Sequence, residues 1–140
     1  MIENNKQTFH LGFPVDDLDE AQQFYGSFLN CDVHSVSDQS ITIDFWGHQL
    51  VAHLVPDQAG SHGYRTVDGN EVPIPHHSAI LEWDEWEALI DKVESSDVEF
   101  LIGPYVRDTG TPEEEGKLFI QDPAGNTLEF KTFKHENRYT

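Results

Sequence analysis

Two histidines and one glutamate are the residues of this chain best suited to chemistry. His10 and His76 each lie near the start of a stretch that alternates like a β-strand, and Glu129 lies in the last such stretch. Two imidazoles and one carboxylate form a facial set that binds a divalent metal ion and leaves other coordination positions open. Because a substrate can react at an open position, these residues predict a metal-dependent enzyme.

The elements that would position these residues begin with a β-α-β-β-β pattern in the first half of the chain. Apolar residues alternate from Phe9 to Val15, which predicts a strand. An aspartate N-cap then precedes apolar residues at helical spacing over 18–29, and Asn30 is suited to end this helix. Three more strands are predicted at 32–36, 41–46 and 49–55.

The same pattern restarts at His76, roughly 66 residues after His10. A strand is predicted over 76–83, and Asp84 is predicted to cap a helix whose apolar face comprises Trp86, Leu89, Ile90 and Val93. Further strands are predicted at 98–102, 117–121 and 127–133. The repeat predicts one domain of two modules, at about 8–56 and 76–133, joined by a connector over 57–75.

The three candidate ligands share one feature of strand geometry. In each of their strands, the apolar residues that must face the helix have the opposite parity to the candidate ligand. Because side chains alternate along a strand, His10, His76 and Glu129 are predicted to point away from the helices. Two such modules paired as a curved sheet would form a cup into which all three residues point.

Several segments of the chain resemble the vicinal oxygen chelate superfamily, which includes glyoxalase I, extradiol dioxygenases and bleomycin resistance proteins. They are the strand with His10, the helix with Phe24-Tyr25, the strand at Pro75-His76 and the closing run DPAGNTLEF over 122–130. The resemblance covers nearly all of 8–133. It implies an α+β fold with a mixed-sheet cup of two βαβββ modules, a divalent metal at its base, and a homodimer.

One strand departs from the glyoxalase I pattern. That enzyme has another carboxylate ligand in the last strand of the first module, but 47–54 contains no acid here. Alignment of Gly47 with Gly125 places Val51 opposite Glu129, with His53 further along the same face. The remaining ligand set resembles that of extradiol dioxygenases and implies Fe²⁺, with Mn²⁺, Zn²⁺ or Ni²⁺ as alternatives. A catechol-like substrate is then expected.

Other functions stay open on the sequence. A lyase or isomerase like glyoxalase I and a thiol transferase like the fosfomycin resistance enzymes use related sites, and a bleomycin resistance-type protein would sequester a drug without catalysis. His53 is either a cup residue that moves protons or serves as an extra ligand, or an ordinary exposed or structural histidine. Arg107 either anchors an anionic substrate group or lies on the surface, and the acidic run 113–115 is either a solvated loop or a cover for the cup.

Composition excludes several classes of partner. The net charge is −18 with only 8 basic residues, which disfavours nucleic acid and anionic membranes. No apolar run approaches the ~20 residues that span a bilayer, and the N-terminal residues do not read as a secretory signal. Cys31 is the only cysteine, which suits a reducing cytoplasm. The expected partners are a small-molecule substrate and a second copy of the chain.

Overall fold

The computed structural model describes residues 7–135 and divides the chain into two compact units. The first unit comprises the chain up to Ser61 together with Pro123–Asn126, and the second comprises His62–Asp122 and the chain from Thr127. Each unit contains a helix and a mixed sheet built around a β-α-β-β-β order. The predicted α+β class is therefore confirmed.

The first unit contains a four-stranded sheet and one helical segment. Its elements are β1 (His10–Val15), α1 (Leu18–Gln22), a π-helical continuation (Gln23–Phe28), β2 (Asp32–Ser35), β3 (Ser40–Phe45), β4 (His48–Leu54) and a 3₁₀ turn (Pro56–Gln58). The strand order is β1-β4-β3-β2. The first strand pairs in parallel with the last, whereas the other pairs are antiparallel.

The helix of this unit begins and ends as the sequence predicts. Oδ1 of Asp17 accepts a hydrogen bond from the backbone N–H of Glu20 at 2.9 Å, which satisfies a donor of the first turn. Asn30 follows the helix in the left-handed conformation, with φ of 66°. Tyr25 is fully buried, and its ring meets Phe13 of β1 edge to face. The helix therefore covers one face of the sheet.

The second unit has more strands than the sequence indicates. Its elements are β5 (Gly63–Val67), β6 (Asn70–Ile74), β7 (His76–His77), β8 (Ile80–Leu81), α2 (Trp83–Glu94), β9 (Ile102–Arg107), β10 (Glu115–Gln121) and β11 (Thr127–Phe133). The main sheet has the order β7-β11-β10-β9, and β8 also pairs with β11. Both short strands run parallel to β11, which repeats the first-with-last pairing of the first unit.

A hairpin occupies most of the segment predicted as a connector. Strands β5 and β6 pair antiparallel, and the turn between them consists of Asp68 and Gly69. Both turn residues have positive φ, 51° and 79°. A two-residue Asp-Gly turn of this kind matches the twist of the flanking strands, so it favours a hairpin.

Three predicted elements of the second unit have different bounds in the structure. The strand predicted at 76–83 is two short strands, and α2 begins at Trp83 with Glu82 as N-cap, whereas Asp84 lies inside the first turn. An acidic residue is favourable there because it faces the positive end of the helix dipole. The strand predicted at 98–102 lies at Ile102–Arg107. Gly103-Pro104 reads as a strand breaker, but β9 is an edge strand, where proline is tolerated.

The helix α2 buries the face that its periodicity predicts. Trp86, Leu89 and Val93 are 8% exposed or less. The indole N–H of Trp86 donates to the backbone carbonyl of Phe130 at 3.0 Å, which ties the helix to β11. Within residues 7–135, no helix is long and apolar enough to cross a bilayer.

Candidate metal centre

The first candidate ligand lies on the exposed face of its sheet. Phe13 and Val15 of β1 are buried, whereas His10 is exposed, as the strand alternation predicts. His10 is paired across the ladder with Gln49 of β4, and its Nδ1 lies 2.8 Å from Oε1 of that residue. When Nδ1 donates to this amide oxygen, the lone pair is on Nε2. A metal-binding histidine is commonly oriented in this way.

The second and third candidates are in direct contact. Nε2 of His76 lies 3.0 Å from Oε1 of Glu129, and the two side chains are 23% and 9% exposed. The contact follows from the parallel pairing of β7 with β11, in which His76 is opposite Thr127. The ring of His76 also meets Phe119 edge to face, and Phe119 is the cross-strand partner of Glu129.

A backbone carbonyl orients the ring of His76. Nδ1 lies 2.8 Å from the carbonyl oxygen of Pro73, and because this oxygen can only accept, Nδ1 is the donor. Nε2 is therefore the atom available to a metal ion. The two histidines thus share one contact, Nδ1 at 2.8 Å from an oxygen, and Nε2 of His76 faces Oε1 of Glu129.

The charges of His76 and Glu129 support each other. The hydrogen bond that His76 donates to Glu129 raises the pKa of His76, although burial opposes the shift. Burial alone would raise the pKa of Glu129, but the hydrogen bond with His76 and the nearby charges of Lys131 and Lys117 outweigh it and lower that pKa. Glu129 is thus held ionised, the form in which a carboxylate binds a metal.

Two imidazoles and one carboxylate suit a divalent ion, but of these three residues only His76 and Glu129 are seen in contact. No group of three or more His, Cys, Asp or Glu side chains is arranged to hold a metal ion in residues 7–135. His76 and Glu129 belong to the second unit, whereas His10 belongs to the first. The convergence of the three residues stays a prediction.

The remaining histidines divide by their surroundings. His53 is exposed on β4, and a Cβ added at Gly12 would lie 3.5 Å from its Nε2, so the ring lies over β1 on the face that carries His10. Nδ1 of His48 accepts from the backbone N–H of Phe9 at 3.1 Å, which is a structural contact. Burial and the neighbouring His76 lower the pKa of His77 to about 4, so His77 is neutral at physiological pH.

Sequence reasoning missed one residue beside Glu129. The side chain of Lys117 is 7% exposed, and its Nζ lies 3.9 Å from Oε2 of Glu129 and 3.2 Å from Oδ2 of Asp68. The signal was available, because Lys117 has the strand parity of Phe119, which is opposite Glu129. No comparable signal marked Asp68, since it lies in the segment that reads as a connector.

The family model for the Glyoxalase/Bleomycin resistance protein/Dioxygenase superfamily matches residues 7–130. The chain belongs to this superfamily. The family match thereby confirms the resemblance to the vicinal oxygen chelate superfamily that the sequence motifs indicated. Superfamily members are often enzymes and typically use a divalent metal ion. No curated protein matches the chain.

Solved structures of the superfamily share this fold. A glyoxalase/bleomycin resistance protein/dioxygenase from Alicyclobacillus acidocaldarius is 29% identical with a TM-score of 0.78, and the match covers 100% of both chains. Lactoylglutathione lyase from Agrobacterium tumefaciens is 15% identical with a TM-score of 0.62, over 93% of this chain and 96% of the lyase. A fosfomycin resistance protein from Listeria monocytogenes is 14% identical with a TM-score of 0.66, over 91% and 93%. For the lyase and the fosfomycin resistance protein, the similarity shows a shared fold and nothing more.

Proposed function

We propose that this protein is a metal-dependent enzyme in which His10, His76 and Glu129 hold Fe²⁺, and that it oxidises a small catechol-like substrate with dioxygen. The observation that carries the proposal is the contact of 3.0 Å between His76 and Glu129, with the histidine oriented by a backbone carbonyl. An ionised carboxylate and an imidazole with a fixed Nε2 are ready-made ligands. His10 would complete the facial set.

The choice of substrate class follows from charge. Two neutral imidazoles and one carboxylate leave a divalent ion with a net positive charge, and no acid in β4 (His48–Leu54) reduces it further. A doubly deprotonated catechol matches such a site because it supplies two adjacent anionic oxygens. When bound, the metal would act as a Lewis acid and as a template for these oxygens.

The chain's own residues would handle protons and position the substrate. The raised pKa of His76 means that a proton would compete with a metal ion for Nε2, whereas the lowered pKa of Glu129 favours the ionised carboxylate. His53 would take a proton from a substrate hydroxyl, since it is exposed on the same sheet face as His10. Phe119, which meets His76 edge to face, would supply an apolar wall.

Metal content and oxygen uptake together test this proposal. Protein purified without added metal is analysed for bound metals, loaded with Fe²⁺ under anaerobic conditions, and supplied with oxygen and a panel of catechols. We expect oxygen uptake by the wild type, none by Glu129→Ala, and unchanged uptake by Glu99→Gln, which alters an exposed glutamate outside the strands. Turnover of a methylglyoxal–thiol adduct without oxygen uptake on any catechol would instead favour the lyase alternative.

We also propose that the enzyme is a cytoplasmic homodimer. Superfamily members are commonly dimers, and sheet edges with exposed apolar side chains favour association. Ile80 lies on such an edge in β8, and Phe9, which immediately precedes β1, is 59% exposed. Sedimentation at micromolar concentration is expected to give the mass of two chains, and the mass of one chain would contradict the dimer.

A further inference from the structure

The tip of the β5–β6 hairpin is held by three side chains of the neighbouring strands. Oδ2 of Asp68 accepts hydrogen bonds from the hydroxyl of Tyr105 at 2.7 Å and from Nζ of Lys117 at 3.2 Å. Oδ1 accepts from Nη1 of Arg107 at 3.2 Å. All four residues belong to the second unit. One carboxylate thus meets three donors, two of them charged.

The three donors lie on two adjacent strands of the main sheet, whereas the acceptor lies outside it. Lys117 on β10 and Tyr105 on β9 are direct cross-strand partners, and Arg107 follows two residues later on β9. The ladder therefore fixes the spacing of the donors. Asp68, in contrast, lies in a two-residue turn outside this sheet. A different carboxylate of the same geometry would meet the same three donors.

Lys117 explains why an anion is needed at this point. Its side chain is 7% exposed, and a buried ammonium is costly unless an anion lies within reach. Besides Asp68, Glu129 is also near, with its Oε2 at 3.9 Å from Nζ of Lys117. If Glu129 binds a metal ion, its charge is shared with that ion. The contact with Asp68, or with an anion that replaces it, then becomes the main compensation for Lys117.

We propose that Tyr105, Arg107 and Lys117 form a carboxylate-binding subsite, which Asp68 fills in the absence of substrate and which a carboxylate of the substrate takes by displacing the hairpin tip. This inference rests on the proposed function, because it places the subsite one side chain away from the metal ligand Glu129. It narrows the substrate class to chelating molecules that also carry a carboxylate, such as dihydroxybenzoates.

Benzoate binding to the metal-free protein tests the subsite, since benzoate has the carboxylate but no chelating hydroxyls. Asp68→Asn removes the competing charge and keeps the shape of the side chain. If Asp68 leaves the subsite in about one wild-type molecule in ten, the wild type binds benzoate about tenfold more weakly than a protein whose subsite is always open. We therefore expect Asp68→Asn to bind benzoate at least about tenfold more tightly than the wild type, as measured by calorimetry. Glu71→Gln makes the same charge change elsewhere on the hairpin and is expected to match the wild type.

Substitution of the hydrogen-bond donors is the second part of the benzoate-binding test. In the Asp68→Asn background, Lys117→Met is expected to abolish benzoate binding, and Tyr105→Phe, which deletes only a hydroxyl, to weaken it about tenfold. Tyr105→Phe decides the outcome if the lysine variant does not fold. The proposal is overturned if Asp68→Asn binds benzoate no more tightly than Glu71→Gln does. It is also overturned if adding Tyr105→Phe to Asp68→Asn leaves the affinity for benzoate unchanged.

Metal content, measured on the same wild-type and Asp68→Asn proteins, separates the two proposals. If these proteins bind Fe²⁺ but do not bind benzoate, the subsite alone is refuted. Benzoate binding without any metal binding would refute the proposed enzyme and leave the subsite as a carboxylate site of another kind.

Discussion

Replacement of Glu129 with glutamine keeps the shape of the side chain but removes the charge that faces His76 at 3.0 Å. Exposed ion pairs contribute at most about 1 kcal/mol, and breaking a fully buried pair costs about 3–5 kcal/mol. The side chains of this pair are 9% and 23% exposed, so they lie between these limits. We expect Glu129→Gln to lower the free energy of unfolding of the metal-free protein by about 2 kcal/mol.

The loss of unfolding free energy in Glu129→Gln is expected to depend on pH. The pKa of His76 is raised, so its contribution is complete below the ordinary value of 6.5 and is lost as the pH rises through the folded-state value. The pKa of Glu129 is lowered, so its contribution is complete above the ordinary value of 4.5 and is lost as the pH falls through the folded-state value. The difference between wild type and variant is therefore largest between pH 4.5 and 6.5.

Urea unfolding in the presence of a chelator measures this difference at pH 5.5 and again at higher pH. An NMR titration of the His76 ring is expected to show a lower pKa in Glu129→Gln than in the wild type. Glu99→Gln serves as the control for an exposed glutamate and is expected to change neither quantity. A destabilisation that is the same at both pH values, or an unchanged pKa of His76, would refute the coupling of these two residues.

Three further substitutions test the packing and the site. Gly116→Ala is expected to destabilise the protein by about 1–3 kcal/mol in urea unfolding, because its Cβ would lie 2.7 Å from the buried ring of Trp86. Gly63→Ala, with open space around its Cβ, is the control, and equal effects of the two would contradict this packing. His10→Ala is expected to lose bound metal in elemental analysis while its melting temperature without metal stays unchanged, since the residue is exposed. His53→Ala is expected to keep the metal and lose turnover, and loss of metal would make it a ligand instead.

Strand parity predicted more of this structure than secondary-structure propensity did. The alternation around His10 indicated its exposed face, because Phe13 and Val15 must be buried against the helix. The same reasoning placed His76 and Glu129 on one side of the second sheet, where the parallel pairing of β7 and β11 brings them into contact. Parity works here because one buried face specifies the orientation of every side chain in a strand.

Elements with little buried surface were missed. The hairpin buries few apolar side chains, with Val72 at 1% exposure, so its strands lack the alternation that marks a half-buried sheet. The bond between Asp68 and Lys117 joins residues 49 positions apart, and it depends on where the hairpin turn lies in space. No local pattern encodes such a contact.

Anomalous diffraction at the iron edge, from crystals loaded with Fe²⁺ under anaerobic conditions, tests the central claim most directly. We predict one peak per chain, at ~2.0–2.3 Å from Nε2 of His10, Nε2 of His76 and a carboxylate oxygen of Glu129. A peak bound by other residues, or Fe²⁺-loaded crystals in which His10 lies away from the His76–Glu129 pair, would contradict the proposed metal centre.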